Sequence, residues 1–244
     1  MRIIQITDPH INIENELVNG VDTKKNFLQV LHRAKEFAPD FFVFSGDLSF
    51  NSGNYNIYYW IREKLTQLNI SEYYIIGGNH DDVNLLAEVF DNMRFLHNSE
   101  LYYRSDNGII FLDTVKGYCS AEQLIWLDET LKSISEPNPI IFMHHPPFKA
   151  GVPHMDGKYA FKQSQEFQDI CKKIDKPITV FCGHYHNEVS MLKDNINVFI
   201  TPSTYLQIGM KTDAFEIEHC IPGFRIIDII DNTIKTNVIY VFDK

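Results

Sequence analysis

Residues 178–186 read ITVFCGHYH, an apolar run that ends at once in a glycine and a pair of histidines. The same pattern occurs four more times: RIIQIT precedes Asp8, FFVFS precedes Gly46, YYIIG precedes Gly78 and IIFM precedes His144. Continuous apolar runs of this length predict β-strands that are buried on both faces. Ligands of open α/β sheets bind beyond the carboxyl ends of the strands. The sequence therefore predicts one rim on which five polar clusters meet.

The five clusters offer oxygen and nitrogen ligands without a cysteine among them. Asp, Asn and His suit Mn, Fe, Zn or Co better than Ca, and the lack of Cys disfavours a structural zinc site. Seven ligands are too many for one ion and sufficient for two if one carboxylate bridges. Two ions about 3.5–4 Å apart support in-line displacement at phosphorus, so a dinuclear hydrolase is predicted. The candidate ligands are Asp8, His10, Asp47, Asn79, His144, His184 and His186.

Glycines stand directly before three of these clusters. Gly46, Gly78 and Gly183 each lie where a strand has to turn sharply and let the backbone approach the metals closely.

Composition and charge narrow the function further. The chain has 244 residues, 44% of them hydrophobic, which fits a single domain over residues 1–244 with a large core. Thirty-two acidic against 22 basic residues give a formal charge of -10, and no basic run could follow a phosphate backbone. We therefore expect no stable nucleic-acid binding. A small anionic substrate remains compatible, because two cations outweigh the surrounding negative charge locally.

The four cysteines show no CxxC pairing, and Cys182 lies inside an apolar run, so reduced thiols are expected. The first ten residues contain a strand and Asp-x-His rather than a signal peptide, and no apolar stretch approaches about 18 residues. We expect a cytoplasmic protein without membrane contact.

The order of elements predicts two sheets. Apolar spacing predicts helices over 22–38, 54–68, 82–93 and 162–174. Ser120 and Gln123 form a capping-box pattern that opens another helix. Segment 146–159 contains too many glycines and prolines for a regular element and is predicted to be a functional loop. Because βαβ units are followed by mostly strands after residue 178, we expect two packed sheets with helices outside.

The motif order Asp-x-His, Gly-Asp, Gly-Asn-His-Asp, His and Gly-His-x-His resembles that of the calcineurin-like metallophosphoesterases, and it runs from Asp8 to His186. The resemblance implies an α/β fold, counted as α+β in some schemes: a four-layer αββα sandwich of two mixed β-sheets flanked by helices. It implies two divalent or mixed-valence ions, with Mn and Fe expected and Zn or Co as alternatives. One ion would be held by Asp8, His10 and His186, the other by Asn79, His144 and His184, with Asp47 bridging.

The resemblance also places His80 beside the scissile phosphate rather than on a metal. Within the family, Gly46-Asp47-Leu48-Ser49-Phe50 departs from the Val-Asp-Arg-Gly continuation of Ser/Thr protein phosphatases, which disfavours that branch. The tail, with Thr201-Pro202-Ser203-Thr204 and Gln207, resembles the bacterial class III 3′,5′-cyclic-AMP phosphodiesterases. Loop HHPPFKAGVPHMD also resembles glycerophosphodiesterases, which makes a glycerophosphodiester or other small phosphodiester the alternative substrate.

The predicted reaction is hydrolysis of 3′,5′-cyclic AMP, or a related cyclic nucleotide, to the 5′-monophosphate. A metal-bridging hydroxide would attack phosphorus in line, while His80 protonates the leaving O3′. Asp81 or another carboxylate would orient His80. Substrate contacts are predicted for His10, Asp47, Asn79, His80 and His186, and for His154 and Asp156 towards the sugar or leaving group.

Several alternatives remain at this point. A catalytically inactive scaffold with the same fold is the second hypothesis, although such proteins tend to lose ligands. The aromatic group Tyr55, Tyr58, Tyr59 and Trp60 could stack on an adenine but is better explained as core or interface. His145 should point away from the neighbouring ligand and support it from behind. A homodimer through exposed aromatic side chains is left open.

Overall fold

The computed structural model describes residues 1–14, 16–90 and 96–242. Two large sheets account for most of the strands. The first contains β1 Arg2–Ile6, β2 Phe41–Ser45, β3 Tyr73–Ile76, β14 Gly223–Ile230 and β15 Thr233–Tyr240, in the spatial order β15-β14-β1-β2-β3. The second contains β6 Tyr103–Arg104, β7 Ile110–Leu112, β8 Ile140–Met143, β9 Ile178–Cys182, β10 Val189–Lys193 and β11 Ile196–Ile200, in the order β10-β11-β9-β8-β7-β6.

Two short hairpins complete the strands of the described residues. They are β4 Leu96–His97 with β5 Glu100–Leu101, and β12 Gln207–Ile208 with β13 Ile217–His219. The helices are α1 Thr23–Lys35, α2 Tyr55–Gln67, α3 Val83–Val89, α4 Ala121–Ser133, α5 Pro153–Lys158 and α6 Ser164–Cys171.

Both large sheets are mixed. The strands that lead to the predicted site pair in parallel. Strands β1, β2 and β3 are parallel neighbours, and so are β7, β8 and β9. Their carboxyl ends therefore lie together, as the sequence pattern predicts. Antiparallel β14 and β15 extend the first sheet along β1.

The sheets pack face to face with helices outside. A ladder of stacked rings crosses the second sheet, with centroids of Phe111, Phe142, Phe181 and Phe199 spaced 5.4–5.5 Å apart. The rings of Phe111, Phe142 and Phe181 share one apolar cluster with the first sheet and helices α1 to α3. Helices α4 and α6 share a second cluster with the opposite face of the second sheet. The predicted helix–sheet–sheet–helix architecture is confirmed.

Local signals explain where the helices begin. The side chains of Asp22, Asn54 and Asp82 accept backbone N–H bonds at the first turns of α1, α2 and α3, which satisfies donors that a helix leaves unpaired. Ser120 caps α4 in the same way, but the side chain of Gln123 bonds to the backbone of Asp113 instead of returning to the cap. The capping box is therefore half formed.

One prediction about secondary structure is wrong. Segment 146–159, expected to lack a regular element, contains helix α5. Pro153 occupies its first turn, where the missing N–H costs nothing, and Asp156 accepts N–H bonds from Ala150, Gly151 and Val152 just before it. The predicted helix over 82–93 ends at Val89, and residues 91–93 lie outside the described residues.

Within the described ranges, the structure contains no helix with the length and apolarity needed to cross a bilayer. All four cysteines are free thiols, and Cys182 is buried in β9 as predicted.

Candidate dinuclear metal centre

The five polar clusters follow β1, β2, β3, β8 and β9, so both sheets contribute to one site. Backbone hydrogen bonds fasten the clusters to one another. The N–H groups of Asp8 and His10 donate to the carbonyls of Gly46 and Asp47, each at 3.0 Å. Across the sheets, the N–H of His184 donates to the carboxylate of Asp8 at 3.0–3.1 Å. The rim predicted from the sequence is thus built from two sheets rather than one.

Six of the seven predicted ligands form two groups that share one carboxylate. In each group, one ligand atom from every residue lies within 4.8 Å of the others. Asp47 belongs to both groups, which is the position that the predicted bridging carboxylate requires. The first group is Asp8, His10, Asp47 and His186, and the second is Asp47, His144 and His184.

The seventh predicted ligand, Asn79, lies on the turn after β3. It is exposed and lines the same cleft as Asp47 and His184. Its ligand role remains a prediction from the family resemblance.

The hydrogen bonds of the histidines test whether the site fits cations. His144 Nδ1 lies 2.8 Å from the carbonyl of Ser45, and His186 Nδ1 lies 3.0 Å from that of Leu206. A carbonyl can only accept, so each Nδ1 carries a proton and each Nε2 is the nitrogen left for a metal ion. These Nε2 atoms lie 3.3 Å from carboxylate oxygens of Asp47 and Asp8 respectively.

An imidazole nitrogen and a carboxylate that face each other repel unless a cation lies between them, either a proton on the ring or a metal ion in its place. His144 Nε2 is fully buried without a hydrogen-bond partner among the described residues, which a metal bond would explain. In His184 one ring nitrogen is likewise used by a carbonyl: its Nε2 donates to the carbonyl of Tyr159 at 3.0 Å. The lone pair of Nδ1 is therefore the one left to bind a metal. The residues therefore fit two transition-metal ions.

Burial and neighbouring charges shift the pKa values of the predicted ligands. Burial lowers the pKa of His10 to about 3 and that of His184 to about 4, so both rings are neutral and available to a metal. Burial opposes ionisation of Asp8, but the nearby His186 and His144 outweigh it and lower its pKa to about 2. For His144, burial is outweighed by Asp47 and Asp8, which raise its pKa to about 9. Metal binding has to displace the proton of His144.

Glycines make the close packing of the ligands feasible. A Cβ at position 78 would lie 2.2 Å from Asp47 Oδ1 and 2.7 Å from His144 Nε2. A Cβ at position 46 would lie 2.4 Å from His144 Nδ1, and one at position 183 would lie 2.4 Å from Asp8 Oδ2. Of the three glycines only Gly46 has a positive φ, of +102°, so close approach is the shared requirement.

His80 stands at the edge of the cluster, facing the cleft. Its side chain is 34% exposed, its Nε2 lies 4.0 Å from Asp47 Oδ2, and its ring meets that of His10 edge-on at 4.9 Å. The buried Nδ1 of His80 has no hydrogen-bond partner within the described part of the chain. The open position of the ring is compatible with proton transfer to a bound substrate.

Asp81, suggested as the group that orients His80, makes other contacts. Its carboxylate accepts N–H bonds from Leu48, Ser49 and Gly78 at 2.9–3.2 Å, and the hydroxyl of Tyr58 donates to it at 2.9 Å. Asp81 thereby ties the loop after β2 to the loop after β3. It positions the backbone that carries Asp47 and His80.

A cleft of 370 Å³ opens over the metal ligands. Its volume lies in the range of small-molecule sites. Two aromatic flanks border it: Phe50 and Tyr205 lie beside His10, and Tyr159 and Phe215 lie beside His154. Sequence reasoning missed these residues and Asn19, because each lies outside the strand-end motifs.

The two weaker candidates for substrate contact differ in position. His154 is buried, lines the cleft, and donates from Nδ1 to the carbonyl of Asp213 at 3.0 Å. Asp156 instead binds the backbone of residues 150–152. A substrate contact for either residue stays a prediction.

Two other predictions concern the surroundings of the site. His145 is buried with its Nδ1 3.0 Å from Thr114 Oγ1 and its ring 4.0 Å from that of His184, which is a supporting position. The aromatic group on α2 is not among the residues that line the cleft: Tyr58 is buried, and Tyr55 and Tyr59 stack on each other at the surface.

A family model described as calcineurin-like phosphoesterase matches residues 1–188. The chain belongs to this family. A probable cyclic nucleotide phosphodiesterase of Fibrobacter succinogenes is 34% identical over 98% of the chain and 94% of the relative. A probable glycerophosphodiester phosphodiesterase of Arcobacter nitrofigilis is 29% identical over 88% of the chain and 83% of the relative.

Among solved structures, a dimetal phosphatase from Danio rerio superposes with a TM-score of 0.68 at 11% identity and covers 98% of both chains. At that identity the likeness concerns the fold alone. Together with the family match, it agrees with the architecture described above. The predicted enzyme class, a phosphoric diester hydrolase of the metallophosphoesterase family, is confirmed at this level.

Proposed function

We propose that the chain hydrolyses 3′,5′-cyclic AMP, or a closely related cyclic nucleotide, to the 5′-monophosphate. The charge of the cleft is the observation that supports a diester as the substrate. Among the described residues, none that lines the cleft is Lys or Arg, so two metal ions would be its strong positive charges. A phosphomonoester carries about two negative charges near neutral pH, whereas a diester carries one. A cleft without basic side chains therefore favours the diester.

The metal roles follow the two ligand groups. Asp8, His10 and His186 would hold one ion, and His144 and His184 would hold the other together with Asn79. Asp47 would bridge them. Two ions bound there would supply a water of lowered pKa as nucleophile and would neutralise charge on the phosphate oxygens.

His80 is proposed to donate a proton to the departing O3′. Its ring is the partly exposed imidazole beside the buried ligands, so it can reach substrate without leaving the site. An alkoxide leaving group is strongly basic, and protonating it in the transition state is typically worth about 10²–10⁴-fold in rate. Imidazole is also the side chain that enzymes use most often as a general acid or base.

The cyclic nucleotide is preferred to other diesters for two reasons. The Fibrobacter succinogenes relative named for this activity covers nearly the whole chain. The tail residues Ser203 and Gln207, which resemble the cyclic-nucleotide branch, are bonded to each other beside the site: the N–H of Ser203 donates to Gln207 Oε1 at 3.1 Å. The Ser203 hydroxyl in turn donates to the carbonyl of Asp8 at 2.8 Å.

The test is a comparison of kcat/KM on Mn-loaded protein for 3′,5′-cyclic AMP, 2′,3′-cyclic AMP, a glycerophosphodiester and a phosphomonoester. We expect the highest value for 3′,5′-cyclic AMP. Preference for the glycerophosphodiester would support the alternative substrate within the same enzyme class. Preference for the monoester would refute the proposal, and no turnover with two metals bound would favour a scaffold.

A further inference from the structure

One flank of the cleft combines aromatic rings with a pair of polar groups. The ring of Tyr205 lies 5.5 Å from that of His10 and 6.1 Å from that of Phe50, so both aromatic side chains adjoin the first ligand group. Asn19 reaches the same place from a loop far away in sequence, and its Nδ2 donates to the Tyr205 hydroxyl at 2.6 Å. All three residues line the cleft.

The Asn19–Tyr205 hydrogen bond leaves one hydrogen-bond donor and one acceptor available to a ligand. The hydroxyl of Tyr205 accepts from Asn19, so its own proton can be donated elsewhere, and Asn19 Oδ1 remains as an acceptor. Neither group has another side-chain partner among the hydrogen bonds of the described residues. The cleft therefore presents the Tyr205 hydroxyl as a donor beside Asn19 Oδ1 as an acceptor, close to the ring of Phe50.

Both residues are held in place by their own loops. Asn19 and Gly20 form the centre of a two-residue turn with φ of 47° and 79°, closed by paired backbone bonds of 2.9 Å between Val18 and Val21. Asn-Gly is the pair best suited to such a turn. The N–H of Tyr205 donates to the hydroxyl of Ser203 at 2.8 Å, which connects Tyr205 to the backbone of Asp8.

This pattern matches the edge of adenine. Adenine presents its N6 amino donor next to the N7 acceptor, whereas guanine presents two acceptors, O6 and N7, on the same edge. Tyr205 can donate to a ring nitrogen of either base, but Asn19 Oδ1 can accept only from the adenine amino group and would face O6 of guanine. Phe50 offers a ring for contact with the base.

We propose that Asn19, Phe50 and Tyr205 form a subsite that binds the adenine base and selects it over guanine. The proposal rests on the cyclic-nucleotide activity proposed above and assigns its base specificity to this flank. On the opposite flank, His154 already donates from Nδ1 to the carbonyl of Asp213 and offers only its second ring nitrogen.

The test uses Asn19→Ala and Tyr205→Phe, each assayed with 3′,5′-cyclic AMP, 3′,5′-cyclic GMP and bis(p-nitrophenyl) phosphate. For wild type we expect a preference for cyclic AMP over cyclic GMP. Each variant should lose about tenfold in kcat/KM on cyclic AMP relative to bis(p-nitrophenyl) phosphate, which has no purine edge to be recognised. The preference for adenine over guanine should shrink with it, mainly through KM.

Tyr59→Phe and Asn56→Ala serve as matched controls, since both residues are exposed on α2 and neither lines the cleft. Equal losses on all three substrates in the Asn19 and Tyr205 variants would overturn the subsite while cyclic AMP remains a substrate of wild type. A wild type that cleaves bis(p-nitrophenyl) phosphate but neither cyclic nucleotide would overturn the proposed function, and the subsite with it.

Discussion

At the scale of single residues, five of the seven predicted metal ligands share an unusual backbone conformation. Asp8, His10, Asp47, His184 and His186 have φ between 44° and 65°. The left-handed region costs an ordinary residue about 1–2 kcal/mol because its Cβ approaches the carbonyl oxygen. Residues in such conformations concentrate at functional sites, where the surrounding contacts hold them. Here the left-handed conformations direct side chains two residues apart, such as Asp8 and His10, into the same site at the ends of the strands.

Substitution of His80 should lower catalysis without removing the metal ions. In His80→Ala, kcat on 3′,5′-cyclic AMP should fall by about 10²–10⁴-fold because the alkoxide loses its proton donor. The loss on bis(p-nitrophenyl) phosphate should be much smaller, since nitrophenolate leaves without protonation. Steady-state kinetics with both substrates measures the difference, and elemental analysis should still find two ions per chain.

His32→Ala is the control for this variant, because His32 is exposed on α1. Loss of metal from His80→Ala would show that His80 is a ligand. Equal losses on both substrates would argue against proton donation to the leaving group.

At the scale of elements, the loops after β2 and β3 act as one unit. Gly78 lets the second loop press against Asp47 and His144, where any side chain would clash. Helix α2 supports the same unit from outside through the bond between Tyr58 and Asp81.

Gly78→Ala should disrupt the centre, because its Cβ would displace the bridging carboxylate. We expect fewer than two ions per chain by elemental analysis and a corresponding loss of activity. Gly157→Ala is the matched change: Gly157 lies in α5 with no atom within 4 Å of an added Cβ. It should keep both ions and gain up to about 1 kcal/mol in the free energy of unfolding. Full metal occupancy in Gly78→Ala would contradict the packing argument.

Tyr58→Phe tests the support that α2 gives to the loops. The variant removes one donor from Asp81 and one acceptor from the N–H of Asp82 while it keeps the ring. We expect a loss of about 1–3 kcal/mol in the free energy of unfolding, measured by urea denaturation. Because Asp81 fixes the backbone of His80, kcat should fall while KM changes little. Tyr59→Phe should change neither, and a stability loss without a change in kcat would limit Tyr58 to a structural role.

At the scale of the whole molecule, a buried polar network joins the two sheets. Arg225 on β14 donates from Nε to Thr201 Oγ1 at 2.9 Å, and Thr201 donates to Gln5 on β1 at 2.5 Å. Gln5 then donates to the carbonyl of Cys182 on β9 at 3.2 Å. Burial lowers the pKa of Arg225 to about 10, so it remains charged near neutral pH. The network connects β14 and β1 of the first sheet to β9 of the second.

Thr201→Val should test this connection. It keeps the shape of the side chain but leaves buried donors and acceptors unpaired, which should lower the free energy of unfolding by about 1–3 kcal/mol. Denaturation curves of Thr201→Val and of the exposed Thr233→Val provide the comparison. Equal stability of both variants would show that the network contributes nothing measurable.

Much of the site could be read from the sequence because its motifs are local. A strand, a glycine and a ligand follow one another within a few residues, so the end of the strand determines where the ligand lies. Asp47 and His184 could therefore be placed at strand ends. The same reasoning failed for segment 146–159, because the contacts of Asp156 that precede α5 are not visible in residue types alone. The aromatic group that contains Tyr58 is predicted to be core or interface, but the bond of Tyr58 to Asp81 depends on how α2 packs.

The sequence by itself determined the ligand types, their order and the strand ends that carry them. The tertiary structure decided that two sheets share the rim, that Asp47 belongs to both ligand groups, and which nitrogen of each histidine faces the carboxylates. It also decided the walls of the cleft, where Asn19 meets Tyr205 across 186 positions of sequence. Such pairs are set by the packing of distant loops, and local sequence patterns contain no information about which loops meet.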